Sequence, residues 1–430
     1  MGKKPIHFGD RKGLSRRELF RLAGATGASL AIGGGVGVGA ALAAKDIADA
    51  EGSPVNASVP FFGRNQAGIA TPQQDRLVFA AFDLTTEDVS EVRDLLREWS
   101  TAAALMSEGR PVGDESENGY LPPDDTGEAL GLSPARLTLT FGLGTTLFEH
   151  DGEDRFGLAA LRPAVLEDIP WMPGDSLEPE RSGGDLCVQA CADDPQVAFH
   201  AIRNLTRIAR GIGTMRWSQI GFGRTSSTSN AQDTPRNLFG FKDGTNNVKA
   251  EDGELMDGYV WVRQGDEPAW MQDGTYLVAR RIRMLIEVWD RSSLNDQEQT
   301  IGRHRLNGAP IGSEDEFDAV DLEATGPNGK PLIPTDSHVR LSRENPDEQI
   351  LRRGYSFTDG MDPKRGQLDA GLFFISFQRD PQRQFVPLQR RLAENDALNE
   401  YISHTGSALF ACPPGARDGG YVGETLFERA

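Results

Sequence analysis

The pattern of apolar and polar positions becomes regular only after residue 75. Arg76–Leu84 is a nearly unbroken apolar run, which predicts a buried strand. Apolar residues then recur every three or four positions, the spacing of an amphipathic helix, at Val89, Val92, Leu95, Leu96 and Trp99. Further runs predict strands at Leu137–Leu143 and Asp185–Ala192, and a second helical pattern follows Pro195. Strands and helices are therefore expected in one mixed fold.

The second half of the chain repeats the pattern of the first. The segment that begins at Leu186 aligns without a gap with the segment that begins at Leu372, and both run into Asp-Pro-Gln. The run from Arg76 likewise has a counterpart from Tyr276, so the two offsets are 186 and 200 residues. Two copies are too few for a stacked repeat array. The self-similarity predicts two related α+β units with mainly antiparallel sheets and helices on one face.

Composition divides the rest of the chain. Residues 1–43 combine the pair Arg16-Arg17 with a Gly- and Ala-rich apolar stretch and small residues at its end, which predicts a twin-arginine signal peptide. We therefore expect export to the periplasm or the cell exterior, and no stable membrane insertion of the processed chain. Residues 44–74 are predicted to be a linker, and residues 75–225 the first unit. A polar stretch, residues 226–233, separates it from the second unit, residues 234–430.

Charge and cysteine content exclude several classes of function. The net charge of −19 argues against nucleic acid as a partner, because phosphate binding needs Lys and Arg. Cys187 and Cys191 lie on one predicted strand, about 13 Å apart at 3.3 Å per residue, too far for a disulfide. We expect these thiols and Cys412 to be buried. No Cys-x-x-Cys or His-Glu-x-x-His pattern supports a zinc site.

Without such a pattern, a metal held by one histidine needs a cofactor that supplies the remaining donors, as haem does. Six histidines are candidates for that ligand. His7 lies in the predicted signal, His150 stands among acids, and His200 falls on a predicted helix. His404 is interpreted as a helix end or turn. His304 and His338 remain, and an ordinary structural histidine is still an open alternative for each.

A glycine-framed carboxylate and a pair of arginines are the next candidates. Gly240 and Gly244 flank Asp243 and permit close backbone approach, although a simple Asp-Gly turn is the alternative. Arg352 and Arg353 are adjacent within apolar neighbours. Because a strand sends successive side chains to opposite faces, at least one of them must meet an anion or solvent.

The predicted strand Tyr276–Trp289 also carries arginines. Arg281 and Arg283 share one face of this predicted strand. An arginine-lined surface of this kind can hold carboxylates, such as the propionates of a haem.

At these residues the chain resembles the dye-decolourising (Dyp-type) peroxidase family, and within it the exported deferrochelatase-like branch. The resemblance covers roughly residues 60–425. The family's Gly-x-x-Asp-Gly pattern is met by residues 240–244, its proximal histidine by His338 in Ser-His-Val-Arg-Leu, and its distal arginine by Arg352 rather than Arg353. It implies two ferredoxin-like domains with antiparallel sheets, with one haem b between the sheet and the helices of the C-terminal half.

The resemblance also implies roles. His338 would ligate iron, Asp243 would be the distal acid/base and Arg352 would stabilise charge. The residues expected to contact the cofactor are Asp243, Gly244, Thr245, His304, His338, Arg343 and Arg352. Position 354 is Gly, so the distal asparagine of some branches is absent.

Three functions follow from this resemblance. The first is reduction of hydrogen peroxide with oxidation of dyes or other organic donors, with an acidic pH optimum because a carboxylate moves the proton. Trp261, Trp270, Trp289 and Tyr355 could carry electrons to large dyes, although core packing is the ordinary role of such residues. The second is release of iron from haem with the porphyrin left intact, which an iron-uptake system would use. The third is haem binding without catalysis. The reductant, and whether the chain forms homo-oligomers, stay open.

Overall fold

Most of the apolar runs form strands of one antiparallel sheet. The computed structural model describes residues 57–113 and 118–429, so the predicted signal peptide and the start of the predicted linker lie outside the described residues. The strands are β1 Arg76–Leu84, β2 Thr138–Gly144, β3 Leu186–Ala192, β4 Gly213–Arg224, β5 Thr275–Met284, β6 Leu351–Arg352, β7 Tyr355–Asp362, β8 Gln367–Gln378 and β9 Ile402–Cys412. β1, β2 and β3 coincide with the predicted strands to within one residue.

Four longer helices cover the sheet: α1 Val89–Ser107, α2 Pro195–Ile208, α3 Leu294–Ile301 and α4 Phe385–Asn395. Asp88 and Asp194 cap the first two, accepting hydrogen bonds from backbone N–H groups of the first turn. Shorter helical turns lie at Thr145–Phe148, Gly253–Leu255, Met256–Val260, Ile286–Trp289, His338–Leu341 and Glu424–Phe427. In residues 57–113 and 118–429, no helix has the length and apolarity needed to cross a membrane.

The sheet topology shows two copies of one unit. In the first half the spatial order is β4-β1-β3-β2, and in the second half it is β9-β5-β8-β7. Each half thus places its fourth strand beside its first, then its third and its second, with helices in the two crossovers. This is the ferredoxin-like arrangement that was predicted. The aligned runs at Leu186 and Leu372 lie in the third strands, and those at Arg76 and Tyr276 in the first strands.

The two halves have the same topology, and their strands are also hydrogen-bonded to each other. β2 pairs with β9, and β4 pairs with β7, so each half meets the other at two seams. β5 pairs with both β8 and β9. Eight strands therefore close into a ring, and the short β6 lies beside β8 in line with β7.

Alternate residues of the strands build two cores. On β1, Val78 and Phe82 face α1 and α2, whereas Leu77 and Phe79 face the inside of the ring. All three cysteines are buried and unbridged inside the ring, as predicted. The outer core is therefore capped by helices, and the inner core by opposing strands.

Two predicted elements differ from the structure. The strand predicted over Tyr276–Trp289 ends at Met284, where its pairing with β9 stops, and Ile286–Trp289 is helical. His404 lies within β9 and is buried, rather than at a helix end or turn. The alternation of Tyr276–Trp289 was recognised, but its extent depends on partner strands that are distant in sequence, and the strand around His404 was not predicted.

The described part of the predicted linker packs into the fold. Residues 57–74 form neither helix nor strand, yet Phe61, Gln66, Ile69, Gln73 and Gln74 are buried. A linker interpretation accounts for the missing secondary structure and not for this packing.

Candidate active site

The glycine-framed loop presents one carboxylate. Gly244 has φ +93°, and a Cβ there would lie 2.9 Å from Ser226 Cα, so only glycine allows the close approach. The preceding Asp243 accepts a hydrogen bond from Asn237 Nδ2 at 3.2 Å. Its other oxygen faces a strand from the far end of the sequence.

That strand brings Arg352 to Asp243. Arg352 Nη1 donates to Asp243 Oδ1 at 2.8 Å, and the two side chains are 24% and 16% exposed. Asn247 clamps the Arg352 peptide, accepting from its N–H at 2.7 Å and donating to its carbonyl oxygen at 2.9 Å. Arg353 points the other way and is buried. A small polar molecule can therefore reach a fixed carboxylate and guanidinium side by side.

His338 begins a helical turn and is held from behind by an acid. Its Nδ1 lies 2.6 Å from Oδ2 of Asp396, a carboxylate that is 2% exposed. Burial lowers the pKa of His338, but the charge and hydrogen bond of Asp396 outweigh it, so the pKa is raised overall. With Nδ1–H directed to Asp396, Nε2 has no partner in the part of the chain that the structure describes. The side chain is 35% exposed, so this nitrogen is free to bind a metal.

Asp396 is a functional residue that the sequence analysis missed. It follows α4 and lies 58 residues beyond His338, in a segment with no recognisable motif. Its second oxygen accepts from Leu398 N–H, which looks like an ordinary cap. Nothing in a single sequence distinguishes such a cap from a partner of a ligand histidine.

Arginines concentrate positive charge around His338. Arg303 is buried, and this burial together with the charge of Arg343 lowers its pKa to about 10. The pKa of Arg343 is lowered as well, by burial and by Arg352. In the described residues the guanidinium of Arg343 has no ion-pair or hydrogen-bond partner, whereas Asp243 and Arg352 both influence the pKa of His338. These groups form one electrostatic site with an excess of cations.

Two other residues that are predicted to contact the cofactor lie within hydrogen-bond distance of glutamate side chains. His304 Nδ1 lies 3.0 Å from Glu298 Oε2, and the ring is 39% exposed. Thr245 Oγ1 donates to Glu316 Oε1 at 3.0 Å, and the other oxygen of Glu316 pairs with Lys242. Thr245 thus braces the loop that carries Asp243, and His304 keeps Nε2 available.

The arginines of β5 do not belong to this site. Arg281 binds Asp359 and Asp369 at 2.8 Å each, and its guanidinium lies 4.1 Å from the centre of the Phe357 ring. Arg283 pairs with Asp362 at 2.6 Å. The prediction that they hold propionates is wrong, because acids from β7 and β8 already neutralise them.

The donor set fits a haem. In the described residues no group of three or more His, Cys, Asp or Glu side chains could hold a metal ion, so a metal on His338 needs donors from a cofactor. The unpaired Arg343 and its cationic neighbours suit a ligand that carries carboxylates.

Comparison with known proteins agrees with this geometry. Residues 66–223 match the profile of the Dyp-type peroxidase N-terminal domain, and residues 234–417 that of the C-terminal domain. A protein of *Escherichia coli* K12 named deferrochelatase is 37% identical over 379 residues, which cover 86% of this chain and 88% of that protein. The chain belongs to the Dyp-type peroxidase family and is therefore an enzyme.

Solved structures support the same assignment. The oxyferrous complex of DtpA from *Streptomyces lividans* has a TM-score of 0.79 and 40% identity, covering 87% of this chain and 98% of that one. A DyP-type peroxidase from *Cellulomonas bogoriensis* has a TM-score of 0.78 and 39% identity, covering 87% and 99%.

Proposed function

We propose that this enzyme is a haem-dependent peroxidase that reduces hydrogen peroxide and oxidises dyes or other organic donors. The observation that carries the proposal is the contact between Asp243 and Arg352, which lies within electrostatic reach of His338 but leaves Nε2 of that histidine free. An acid/base, a fixed cation and a metal ligand are thus combined in one site.

One haem b per chain would be held by His338 and neighbouring cations. When bound, haem would supply redox-active iron for the reaction with peroxide. Asp396 would fix the tautomer of His338 and make Nε2 a stronger electron-pair donor to the iron. Arg343 and His304 would pair with the propionates, and Gly244 and Thr245 would line the cofactor beside Asp243.

Asp243 and Arg352 would act on peroxide together. Cleavage of the O–O bond requires a proton to leave one oxygen and reach the other, and Asp243 would carry it. Arg352 would stabilise the negative charge that develops on the oxygens. Because a carboxylate and not an imidazole would move this proton, we expect the peroxidase rate to peak in acid.

Large donors need a route for electrons to the surface. Of the aromatic residues considered from sequence, Trp270, Trp289 and Tyr355 are buried, and Trp289 stacks on Phe239 with centroids 4.4 Å apart. Trp171, by contrast, is 72% exposed. A role in electron transfer stays a prediction for Trp261, Trp270, Trp289 and Tyr355, and core packing is the ordinary role of the three that are buried.

A second candidate function is release of iron from haem with the porphyrin left intact. It is favoured by the relatives named deferrochelatase, which are 36–38% identical to this chain. An iron-uptake system would then be the partner. Export by the twin-arginine route would place either activity outside the cytoplasm, although the predicted signal lies outside the described residues.

One experiment separates these functions. Purified protein loaded with haem is given peroxide and an anionic dye, and in parallel is incubated with excess haem while protoporphyrin fluorescence is followed. Peroxide-dependent bleaching without porphyrin release supports the peroxidase, and the reverse result supports iron release. Equal bleaching by the parent protein and Asp243→Asn would contradict the role of Asp243, and bleaching no faster than by the same amount of free haem would favour simple haem binding.

A further inference from the structure

A segment without regular structure passes behind the proposed distal arginine. Residues 68–74, here called the strap, contain neither helix nor strand, yet Gln73 and Gln74 are buried. Gly68 approaches β2 so closely that a Cβ there would lie 2.4 Å from Thr140 Oγ1. We propose that the strap is a positioning element that holds Arg352 in register with Asp243, an inference that rests on the proposed function.

The first contact runs through Arg353. Arg352 ends β6 and points to Asp243, whereas Arg353, the next residue, points into the strap. Arg353 Nη1 donates to Thr71 O at 2.5 Å, and Nη2 donates to the side-chain oxygen of Gln74. Arg353 is fully buried and has no carboxylate partner in the described residues. The strap therefore supplies the acceptors that hold this charge.

The second contact holds the next residue of the chain. Gln73 Nε2 donates to Gly354 O at 2.7 Å, and the same carbonyl accepts from Thr225 N at 3.0 Å. A Cβ at Gly354 would lie 2.8 Å from Thr225 Oγ1, which explains why no side chain stands there. Both residues that follow Arg352 are thus fixed from one side, while Asn247 fixes the Arg352 peptide itself from the other.

The third contact reaches the carboxylate. Thr228 Oγ1 accepts from Gln73 N at 3.0 Å and donates to Thr71 O at 3.0 Å. Thr228 belongs to the buried segment 225–229, and Ser226 of that segment is the residue against which Gly244 packs. The backbone that follows Arg352 therefore contacts the strap directly, and the loop that carries Asp243 is linked to the strap through segment 225–229.

Gln73→Met tests this role with a matched control. The substitution removes the donor to Gly354 while nearly preserving side-chain volume. Gln66→Met is the control, because Gln66 is equally buried and donates to Phe141 O at 3.0 Å and Pro413 O at 2.9 Å, away from Arg352. We expect Gln73→Met to lower the second-order rate with hydrogen peroxide roughly tenfold, and the control to stay within about twofold of the parent.

Cyanide affinity of the ferric protein, measured by titration of the Soret band, is the second measurement. It reports the distal site without turnover, so we expect it to weaken in Gln73→Met and to be unchanged in Gln66→Met. Thermal unfolding should shift to a similar extent in both variants. Equal peroxide rates and equal cyanide affinities in the two variants would overturn the inference.

Thr228 gives an independent pair of variants if Gln73→Met does not fold. Thr228→Val keeps the shape but loses both strap hydrogen bonds, and Thr228→Ser restores the hydroxyl. We expect the slow reaction with peroxide in the first variant and recovery in the second; equal rates in both would contradict the role of the strap. A parent protein that binds haem but does not react with peroxide would remove the proposed function and this inference together.

Discussion

The two halves of the ring have the same topology, but their crossovers meet in different ways. In the first half, α1 and α2 meet where Trp99 Nε1 donates to Leu205 O at 2.9 Å, and the Trp99 ring stacks on Phe141. In the second half, the corresponding crossovers meet where His338 contacts Asp396. Both halves also have a histidine–carboxylate contact between their crossovers, but His200 is buried with Nε2 at 2.8 Å from Asp125, whereas His338 is partly exposed and keeps Nε2 free.

The two first crossovers also differ in their helices and in the polar residues that they carry. The first crossover of the N-terminal half, between β1 and β2, is dominated by the amphipathic helix α1. Its counterpart between β5 and β6 carries Arg303, His304, His338 and Arg343, with only short helices. The comparison teaches that one copy stabilises the ring while the other can place polar groups for chemistry. The following predictions test that division.

His338→Ala should have the largest effect. Removing the only proposed iron ligand is expected to abolish haem binding, so the Soret band of the purified protein should be lost. The fold should survive, because the side chain is partly exposed and the stable core lies elsewhere. His150→Ala, at an exposed histidine, serves as the control. A normal Soret band in His338→Ala would break the assignment of chemistry to this crossover.

Trp99→Ala should produce the opposite result. Truncating a fully buried Trp is expected to lower the free energy of unfolding by about 3–5 kcal/mol, measured by denaturant titration. Haem absorbance and the peroxide rate of the folded fraction should match those of the parent. Trp171→Ala, at an exposed position, should change stability by less than about 0.5 kcal/mol. A shifted Soret band in Trp99→Ala would show that the halves are not separable in this way.

Arg352→Ala should separate haem binding from the reaction with peroxide, two properties that the C-terminal half is expected to provide. Loss of a preorganised cation is expected to slow the reaction with peroxide by about 10²–10³-fold, measured by stopped-flow absorbance. Haem content should be retained, since His338 and Arg343 remain. Arg383→Ala, 87% exposed, should react at the parent rate. Retention of full reactivity in Arg352→Ala would remove the residue from the mechanism.

His404 acts on stability, and its effect on stability develops only as the pH falls below about 6.5. Burial, together with the charge of Arg280, lowers its pKa from 6.5 to about 3. The folded protein therefore binds this proton more weakly than the unfolded chain, so stability is lost as pH falls from about 6.5 towards 3, by up to about 1.4 kcal/mol per pH unit. Unfolding free energies of the parent and His404→Gln, measured between pH 7 and pH 4, should converge as pH falls. Parallel curves would exclude this histidine as the source of acid sensitivity.

Local patterns predicted much of the fold. The spacing of Val92, Leu95 and Trp99 defines α1 because one face of that helix is buried, and this signal is complete within a few turns. The internal repeat could also be recognised from the sequence, because equivalent strands of the two halves have similar burial and therefore similar patterns of apolar residues. The end of β5 was misplaced because alternation continues past Met284 while its partner strands do not.

The site was predicted only where a motif is continuous in sequence. Asp243 was a candidate because of its flanking glycines, and the family resemblance selected Arg352 over Arg353; the structure adds that the side chains of Asp243 and Arg352 touch. Asp396 and the strap were missed because they act across 58 and more than 270 residues, through contacts that a single sequence does not encode. Arg281 and Arg283 were misassigned for the same reason, since their acids lie on β7 and β8.

Ring closure has a consequence for how a large planar ligand is exchanged. Because the halves are joined at two seams, β2–β9 and β4–β7, they cannot swing apart like hinged lobes without breaking the strand pairing of at least one seam. We expect loading and loss of haem to follow local opening of the long crossover that carries His338. Amide hydrogens of that crossover should therefore exchange faster in the apoprotein than those of the seams, which makes ligand residence a property of one loop and not of the whole scaffold.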